Sequence, residues 1–225
     1  MKIDNKKFIE FLENATLKGK IGGGTIKVKN NKLEMLLRNG NSVLVHTILN
    51  IPSKNPEEYF LKDIKILMKR LSIFNGITNF TVKNNRLLIF NKFNEAEITM
   101  SDKKFIEDWN VEEEPKNLSW SEKVKINADV FKRANEIYEI TNEGNIFIEI
   151  ENKILKISIG EEGFDKQSSK CPIDTSITLT SEFSKIILPV FSLLDGEIYI
   201  HLEKTGYPIK FEKKIEDLSV TFIVA

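Results

Sequence analysis

The sequence of 225 residues is poor in the side chains that most often carry catalysis or bind metals. It contains one cysteine, so an internal disulfide is excluded and a reducing compartment is expected. The two histidines, His46 and His201, lie in separate alternating stretches, and together with Cys171 they do not form a zinc-binding spacing. We therefore expect a protein without catalytic activity, metal or cofactor.

An excess of charge and long apolar runs are also missing. The 33 basic residues equal the 33 acidic ones, which argues against a wholly basic nucleic-acid binder but allows charge to be segregated on the surface. No apolar stretch approaches the roughly 20 residues that span a bilayer. The N-terminus, MKIDNKKFIEF, has no apolar signal core. We expect a cytoplasmic protein that does not bind membranes.

Two short runs could be mistaken for functional motifs. The triplet Gly22-Gly23-Gly24 lacks the Gly-Lys-Ser/Thr of a phosphate-binding loop and precedes a predicted strand, so it is interpreted as a turn. The run Glu112-Glu113-Glu114 is interpreted as a solvated part of a linker. Neither run predicts a catalytic or metal site.

The chain contains an internal repeat. SIFNGITNFTV at residues 72–82 is similar to SLLDGEIYIHL at residues 192–202, an offset of 120. Earlier in the chain the offset is 122, where IKVKN at residues 26–30 matches IEIEN at residues 148–152. Helices and strands that match in the same order predict a true two-fold repeat with small loop insertions.

Hydrophobic periodicity predicts an α+β fold of two similar domains, each with antiparallel sheets and two helices. The predicted boundaries are 1–100 and 124–225, joined by a linker at 101–123. The apolar residues Phe105, Ile106, Trp109 and Trp120 predict that this linker lies against the protein. Helices are predicted at Asn5–Thr16, Leu61–Ile73, Ala128–Ile140 and Glu182–Leu194. Strands are predicted at Thr25–Val28, Lys32–Leu37, Ser42–Leu49, Thr78–Val82, Arg86–Phe90, Glu95–Met100, Ile146–Ile150, Ile154–Ile159, Ser176–Thr180, Glu197–Leu202, Ile209–Glu212 and Ser219–Ala225.

Basic side chains recur on the predicted helices. Lys62, Lys65 and Lys69 are spaced to lie opposite the apolar stripe of the second helix. The complete set of candidate polyanion-binding residues is Lys6, Lys7, Lys18, Lys20, Lys62, Lys65, Lys69, Arg70, Lys132, Arg133 and Lys185. Ordinary solvated helix faces would explain any one of them. Their presence on corresponding helices of both halves favours a common polyanionic ligand, held more by the first half than by the second.

Three segments resemble the DNA sliding clamps, the family of proliferating cell nuclear antigen and the T-even-type phage clamps. They are FIEFLENATLKGKIGGGTIKV at residues 8–28, INADVFKRANEI at residues 126–137 and YPIKFEKKIEDLSVTFIVA at residues 207–225. The resemblance implies a ring, expected to be a homotrimer, that encircles double-stranded DNA and contacts phosphates without reading bases. It also implies a role as DNA polymerase processivity factor, with the polymerase and a clamp loader as partners.

The same resemblance implies two kinds of protein contact. Subunits would pair through the edges Glu95–Met100 and Lys166–Cys171. Partner peptides would bind a groove that includes Leu37, Leu44, Pro208, Ile223 and Ala225, although ordinary packing explains each of these residues equally well. The alternatives left open are a duplicated β-rich assembly protein, such as a virion component, one subunit of a heterotrimer, and a clamp that also recruits transcription machinery.

Overall fold

A computed structural model describes residues 1–53, 56–115, 118–142, 144–161 and 166–225. The chain divides into two compact units. Unit 1 comprises Met1–Gly40, Leu44–Glu114 and Ile215–Val220. Unit 2 comprises Asn41–Val43, Pro115–Lys214 and Thr221–Ala225.

The first half of the chain contains eight of the described strands and two helices. In chain order they are β1 (Lys2–Asp4), α1 (Asn5–Ala15), β2 (Gly24–Lys29), β3 (Lys32–Asn39), β4 (Val43–Asn50), β5 (Glu57–Leu61), α2 (Ile64–Leu71), β6 (Ile77–Lys83), β7 (Arg86–Phe90) and β8 (Glu95–Thr99). A short 3-10 turn at Lys103–Phe105 follows β8.

The second half contains the same series of elements. In chain order they are β9 (Glu122–Asn127), α3 (Asp129–Thr141), β10 (Asn145–Glu151), β11 (Ile154–Gly160), β12 (Lys166–Pro172), β13 (Leu179–Phe183), α4 (Leu188–Phe191), β14 (Glu197–Leu202), β15 (Ile209–Ile215) and β16 (Leu218–Val224). A 3-10 turn at Lys185–Ile187 leads into α4.

Strand order shows that the two halves are repeats. The first half has the orders β1-β6-β7-β8 and β5-β2-β3-β4, and the second has β9-β14-β15-β16 and β13-β10-β11-β12. Each strand of the first half therefore corresponds to the strand eight positions later in the series. The predicted α+β class and the two-fold repeat are confirmed.

Each long helix buries one apolar face. In α1 the buried face carries Phe8, Phe11 and Leu12, and the Phe8 ring meets Phe80 of β6 edge-on with centroids 4.9 Å apart. Asp4 caps α1 by accepting a hydrogen bond from the Lys7 N–H at 3.1 Å, which satisfies one of the amides left free at a helix start. In α3 the buried ring of Phe131 lies edge-on to Phe211 of β15, with centroids 5.3 Å apart.

The repeated Asn-Gly and Asp-Gly turns link the end of the second helix to the start of the first helix in each half. Gly76 and Gly196 have positive φ values of 66° and 60°, which end the turn after α2 and α4 at little steric cost. The Gly76 carbonyl accepts a hydrogen bond from the Asn5 N–H at 3.0 Å, and the Gly196 carbonyl accepts one from the Ala128 N–H at 2.8 Å. The start of the first helix is thereby tied to the end of the second in both repeats.

The carbonyls that end α2 and α4 are satisfied by different side chains. In unit 1 the buried amide of Asn5 donates to the carbonyls of Leu71 at 2.9 Å and Phe74 at 2.8 Å. In unit 2 the buried ammonium of Lys213 donates to the Leu193 carbonyl at 3.0 Å and pairs with Asp195 at 2.6 Å. Lys213 is therefore a structural residue of its repeat.

Two predicted helix starts are wrong. Helix α2 begins at Ile64 rather than Leu61, because Leu61 ends β5 and Asp63 caps the helix by accepting from the Ile66 N–H at 3.0 Å. Helix α4 begins at Leu188 rather than Glu182, which lies in β13. The strand predicted at Ser176–Thr180 is accordingly shifted to β13. Pro189 occupies the first turn of α4, where its missing N–H costs nothing.

We expect the substitution Asn5→Ala to lower the free energy of unfolding by about 1–3 kcal/mol, because the buried Phe74 carbonyl would lose its Asn5 donor and the Leu71 carbonyl would keep only the Phe74 N–H. Urea denaturation followed by circular dichroism measures the change. Asn94→Ala is the matched control, since its amide donates to the Ile73 carbonyl at an exposed site and its effect should stay within about 0.5 kcal/mol. Equal destabilisation of the two variants would contradict a special role for Asn5.

Candidate nucleic-acid interface

Helices α1 and α2 of unit 1 pack side by side and run in opposite directions. The N–H of Ile64, the first residue of α2, donates to the carbonyl of Gly22 in the loop after α1 at 2.9 Å. At the other end, Asn5 at the start of α1 binds the last carbonyls of α2. The start of α1 therefore lies beside the end of α2, and the end of α1 lies beside the start of α2. Basic residues of both helices are close together at each of these ends.

The exposed face of α2 is basic. Ile64, Leu67 and Leu71 are buried, whereas Lys65, Lys69 and Arg70 are exposed. Lys69 and Arg70 lie in the last turn, where positive charge also stabilises the helix through the backbone dipole. The face is thus suited to bind phosphate groups, although Lys69 and Arg70 also stabilise the helix.

The loop after α1 adds lysines beside Lys65. A Cβ atom at Gly19 would lie 2.8 Å from Lys65 Cε, so the aliphatic chain of Lys65 runs directly over this glycine. Lys18 and Lys20 flank Gly19, and both are exposed. Three predicted lysines, distant in sequence, are therefore brought together in unit 1.

Two other predicted lysines are engaged differently. Lys7 pairs with Asp217 at 2.8 Å and Glu216 at 3.2 Å, and the hydrogen bonds to these carboxylates raise its pKa. Its charge is largely compensated within unit 1. Lys62 precedes α2 instead of lying on it, and its ammonium sits 5.6 Å from the centre of the Phe105 ring. Lys6 is exposed in the first turn of α1.

The predicted basic residues of unit 2 do not form a comparable surface. Lys132 and Arg133 are exposed on α3, but the same helix also exposes Asp129, Glu136 and Glu139. The helix therefore carries more acid than base. Lys185 is exposed in the 3-10 turn before α4. The acidic residues that offset Lys132 and Arg133 are evident in the sequence of α3.

Chemically, the basic surface of unit 1 can neutralise phosphates, which positions a duplex without specifying a sequence. Within the described ranges, no group of three or more His, Cys, Asp or Glu side chains is arranged to hold a metal ion. In the same part of the chain, no helix has the length and apolar character needed to cross a membrane.

The connecting segment, residues 101–123, has defined structure in its first part, while residues 116–117 lie outside the described residues. Ile106 is buried, and Trp109 and Trp120 are half-buried, as expected for a segment that lies against the protein. Phe105 is 54% exposed, contrary to that expectation. The boundaries predicted for the linker as a domain connection stay a prediction.

The glycine triplet makes room for the connecting segment. A Cβ atom at Gly23 would come within 2.8 Å of the Trp109 ring and 2.6 Å of the Leu61 carbonyl oxygen. A Cβ atom at Gly24 would overlap Cδ2 of Leu37. The triplet is therefore more than a turn, because its missing side chains let a tryptophan and a leucine pack against the backbone.

Asn110 fixes the segment to β2 and β3 directly. Its side chain accepts a hydrogen bond from the Thr25 N–H and donates one to Thr25 Oγ1, both at 2.9 Å. Its backbone forms a bridge with Leu37 of β3. The Arg38 N–H donates to the Trp109 carbonyl at 2.8 Å, and the Val111 N–H donates to the Leu36 carbonyl at 3.1 Å.

The residues predicted to bind partner peptides differ in exposure. Leu37 in β3 and Ile223 in β16 are buried, so both contribute to the cores of their units. Leu44 in β4 and Pro208, which follows a cis peptide bond, are half-buried. Ala225 is exposed, and its N–H donates to the Ser42 carbonyl at 3.0 Å. Their shared role in peptide binding stays a prediction.

This duplicated arrangement of antiparallel sheets with paired helices is the fold of the DNA sliding clamps. The chain is similar over its whole length to proliferating cell nuclear antigen (PCNA) of Thermococcus kodakaraensis, with a TM-score of 0.79, 17% identity and 98% of that chain covered. PCNA of A. fulgidus, solved with the C-terminal region of FEN-1 bound, gives a TM-score of 0.76, 15% identity and coverage of 100% and 96%. The resemblance inferred from sequence is confirmed at the level of the fold.

The bacterial DNA polymerase III β subunit has the same fold. The Pseudomonas aeruginosa protein gives a TM-score of 0.74 and 13% identity over 100% of this chain, which spans 65% of that protein's length. No protein-family model and no curated protein sequence matches the chain. The structural matches thus show the fold at identities of 13–17%, where no family model or curated sequence matches.

The packing of Trp109 against Gly23 can be tested with tryptophan fluorescence. The chain has two tryptophans, so Trp120→Phe leaves Trp109 as a single probe. In that background we expect Gly23→Ala to expose the indole and shift its emission to longer wavelength, because the added methyl group overlaps the ring. Gly22→Ala is the control, since its Cβ would stand 3.5 Å from the ring at an ordinary packing distance. Unchanged emission in Gly23→Ala would contradict the packing argument.

Proposed function

We propose that this chain is a DNA sliding clamp that encircles duplex DNA and serves as a processivity factor for a DNA polymerase. The observation that carries the proposal is the cluster of exposed bases on α1, on α2 and in the loop that joins α1 to β2, presented by a chain with the clamp fold. Such a protein needs no chemistry of its own, because a closed ring retains DNA by enclosure instead of tight binding.

The charge distribution supports sliding. Lysine and arginine on flexible aliphatic stems contact phosphates, whose charge repeats regularly along the duplex, so no single register is preferred. Excess base around the whole ring would raise affinity and slow movement. In our proposal unit 1 supplies most of the contacts, while the acidic balance of α3 keeps unit 2 weakly bound.

Ring formation is supported by two unpaired strand edges of opposite charge. Strand β8 ends the order β1-β6-β7-β8 and exposes Glu95 and Glu97, whereas β12 ends the order β12-β11-β10-β13 and exposes Lys166 and Lys170. We propose that β8 of one copy pairs with β12 of the next. Pairing satisfies the free backbone groups of both edges, and repetition around a three-fold axis closes a homotrimer.

The proposed protein partners are a DNA polymerase and a clamp loader. The A. fulgidus clamp was solved with a segment of another protein bound, the C-terminal region of FEN-1. We propose that partners of this chain likewise present a short peptide, and that Leu37, Leu44, Pro208, Ile223 and Ala225 contribute to its groove. The same proposal places the protein in the cytoplasm, where it meets DNA.

Reversal of charge on α2 tests the DNA-binding surface. We expect Lys65→Glu, Lys69→Glu and Arg70→Glu together to abolish stimulation of the cognate polymerase on a primed template. The slope of log affinity against log salt should become shallower by about 0.9 for each phosphate that is no longer neutralised. Lys132→Glu with Arg133→Glu is the control and should have a smaller effect, because α3 is already acidic.

The triple variant must keep the oligomeric state of the wild type for this test to count. Full stimulation by a properly assembled triple variant would contradict the assignment of α2 to the DNA-binding surface. If the wild type itself neither stimulates the polymerase nor remains on circular DNA, the clamp proposal fails and an assembly protein without DNA sliding becomes the better explanation.

Exchange of edge charges tests the ring. Size-exclusion chromatography with light scattering should give three times the chain mass of 25.9 kDa for the wild type. We expect Glu95→Lys with Glu97→Lys to shift the protein to monomer, because four positive side chains would then meet at each interface. Adding Lys166→Glu and Lys170→Glu should restore the trimer. A stable wild-type monomer, or a Glu95→Lys/Glu97→Lys variant that stays trimeric, would contradict the proposed interface.

A further inference from the structure

His46, on β4, links two strands of unit 1 to the connecting segment. Its Nδ1 lies 2.5 Å from Oε1 of Glu114 in that segment, and its Nε2 lies 2.7 Å from Oε1 of Glu34 on β3. The imidazole side chain is only 18% exposed. Both ring nitrogens are thus committed to carboxylates at a partly buried site.

Whether the ring can donate to both glutamates depends on its protonation state. A carboxylate accepts hydrogen bonds, and a neutral imidazole has one N–H, so it can donate to only one of the two glutamates. The protonated ring donates to both and adds a charge–charge attraction to each. On losing its proton, the ring directs a lone pair at a carboxylate oxygen, which is repulsive.

We propose that His46 is a proton-dependent latch for the connecting segment: the protonated ring holds Glu114 against β3 and β4, and loss of the proton releases it. The latch itself follows from unit 1 alone. Its consequence, that partner access to the segment increases when the latch opens, rests on the proposed function.

The neighbouring anchors set the limits of the released region. Up to Val111 the segment is held by backbone hydrogen bonds to Leu36 and Arg38 and by the packing of Trp109 on Gly23, none of which changes with protonation. Glu114 lies three residues beyond the last of these backbone bonds. Opening of the latch should therefore loosen Glu114 and the residues beside it, while Glu112 keeps its ion pair with Lys103 at 3.6 Å and the residues up to Val111 stay in place.

The charges around His46 favour the closed latch near neutral pH. Burial lowers the pKa of His46, but the hydrogen bonds to Glu114 and Glu34 outweigh it and raise the pKa above the ordinary value of 6.5. Glu34 from β3 and Glu114 from the segment are the charged groups that bear on the ring, and Lys27 on β2 stands opposite Glu34.

His201 provides a matched control within unit 2. Its ring lies edge-on to Trp120 of the connecting segment, with centroids 5.8 Å apart. Its carboxylate neighbour, Glu212, is also bound by Lys123 and Lys210, each at 2.8 Å, and has a pKa of about 2. Burial lowers the pKa of His201, so this contact to the segment does not require a proton.

A proton NMR titration gives the first test. The chain has two histidines, and His46→Gln and His201→Gln assign their ring signals. We expect a midpoint above 6.5 for His46 and below 6.5 for His201. A His46 midpoint at or below that of His201 would overturn the proposal, because the ring would then be neutral in the closed structure.

Hydrogen–deuterium exchange of the full-length protein tests the latch directly. Between pH 6 and pH 9, we expect protection of the amides around residues 112–114, corrected for intrinsic rates, to fall by about tenfold in the wild type. His46→Gln should show the low value throughout, since glutamine is uncharged, and Glu114→Gln should do the same. His201→Gln should retain the wild-type change. Protection that is independent of pH, or unaltered in both latch variants, would overturn the proposal.

Stability provides an independent reading with a defined sign. Since the folded-state pKa of His46 is raised, its stabilisation is fully present below about pH 6.5 and disappears as the pH rises through the folded-state value. None of these measurements uses DNA or a polymerase. Failure of the latch therefore leaves the clamp proposal standing, and failure of the clamp proposal leaves the latch testable.

Discussion

The fold depends on one backbone hydrogen bond, made twice. The N–H at the start of the first helix of each repeat donates to the carbonyl of the glycine that follows the second helix, Gly76 or Gly196. A hydrogen bond of this kind ties the start of one helix to the end of the other, because Asn5 and Ala128 are buried and an unpaired N–H there would be costly. The two helices then lie side by side, so that their apolar faces pack against the sheets of the repeat and their other faces are exposed together. The common architecture of the two halves hides different local chemistry, since Asn5 satisfies the helix end in one and Lys213 in the other.

The paired helices of the two units differ in the charge of their outer faces, and the proposed function depends on this difference. In unit 1 the pair presents Lys65, Lys69 and the lysines of the preceding loop, whereas α3 of unit 2 offsets its two bases with three acids. A duplicated protein that keeps its geometry but changes its charges can divide labour between its repeats. In the proposed clamp, one repeat holds the DNA while the other supports enclosure without slowing its movement. The neutral composition of the whole chain is compatible with this arrangement, because charges act on a ligand over roughly a Debye length and not as a sum over the molecule.

The connecting segment shows how a linker can be part of a domain. Trp109 packs on Gly23, Asn110 completes the hydrogen bonds of Thr25, and His46 holds Glu114. These three contacts differ in kind: the first is close packing, the second is a set of neutral hydrogen bonds, and the third is a proton-dependent ion pair. Of the three, only the contact of His46 with Glu114 involves titratable groups, and the proposed latch depends on this. A segment held by such different contacts can remain bound to unit 1 while its end near Glu114 is released.

Local pattern was sufficient for most of the architecture. The 3.6-residue period located α1 and α3, alternation located the long strands, and the Asn-Gly and Asp-Gly stops indicated the repeat, because each signal lies within a few consecutive residues. The short or charged strands β1, β5 and β9 were missed as strands, since they offer few apolar positions and form only when a neighbour is present. Strand β12 was expected only as a subunit edge that the family resemblance implied. By itself the sequence determined the order of elements, the buried helix faces and the set of available charges. Only the tertiary structure decided that Lys7 is neutralised by Asp217, that Gly23 and Gly24 admit Trp109 and Leu37, and that His46 lies between two glutamates. Each of these outcomes depends on residues far apart in the chain, whose approach is set by packing and cannot be deduced from the spacing between them.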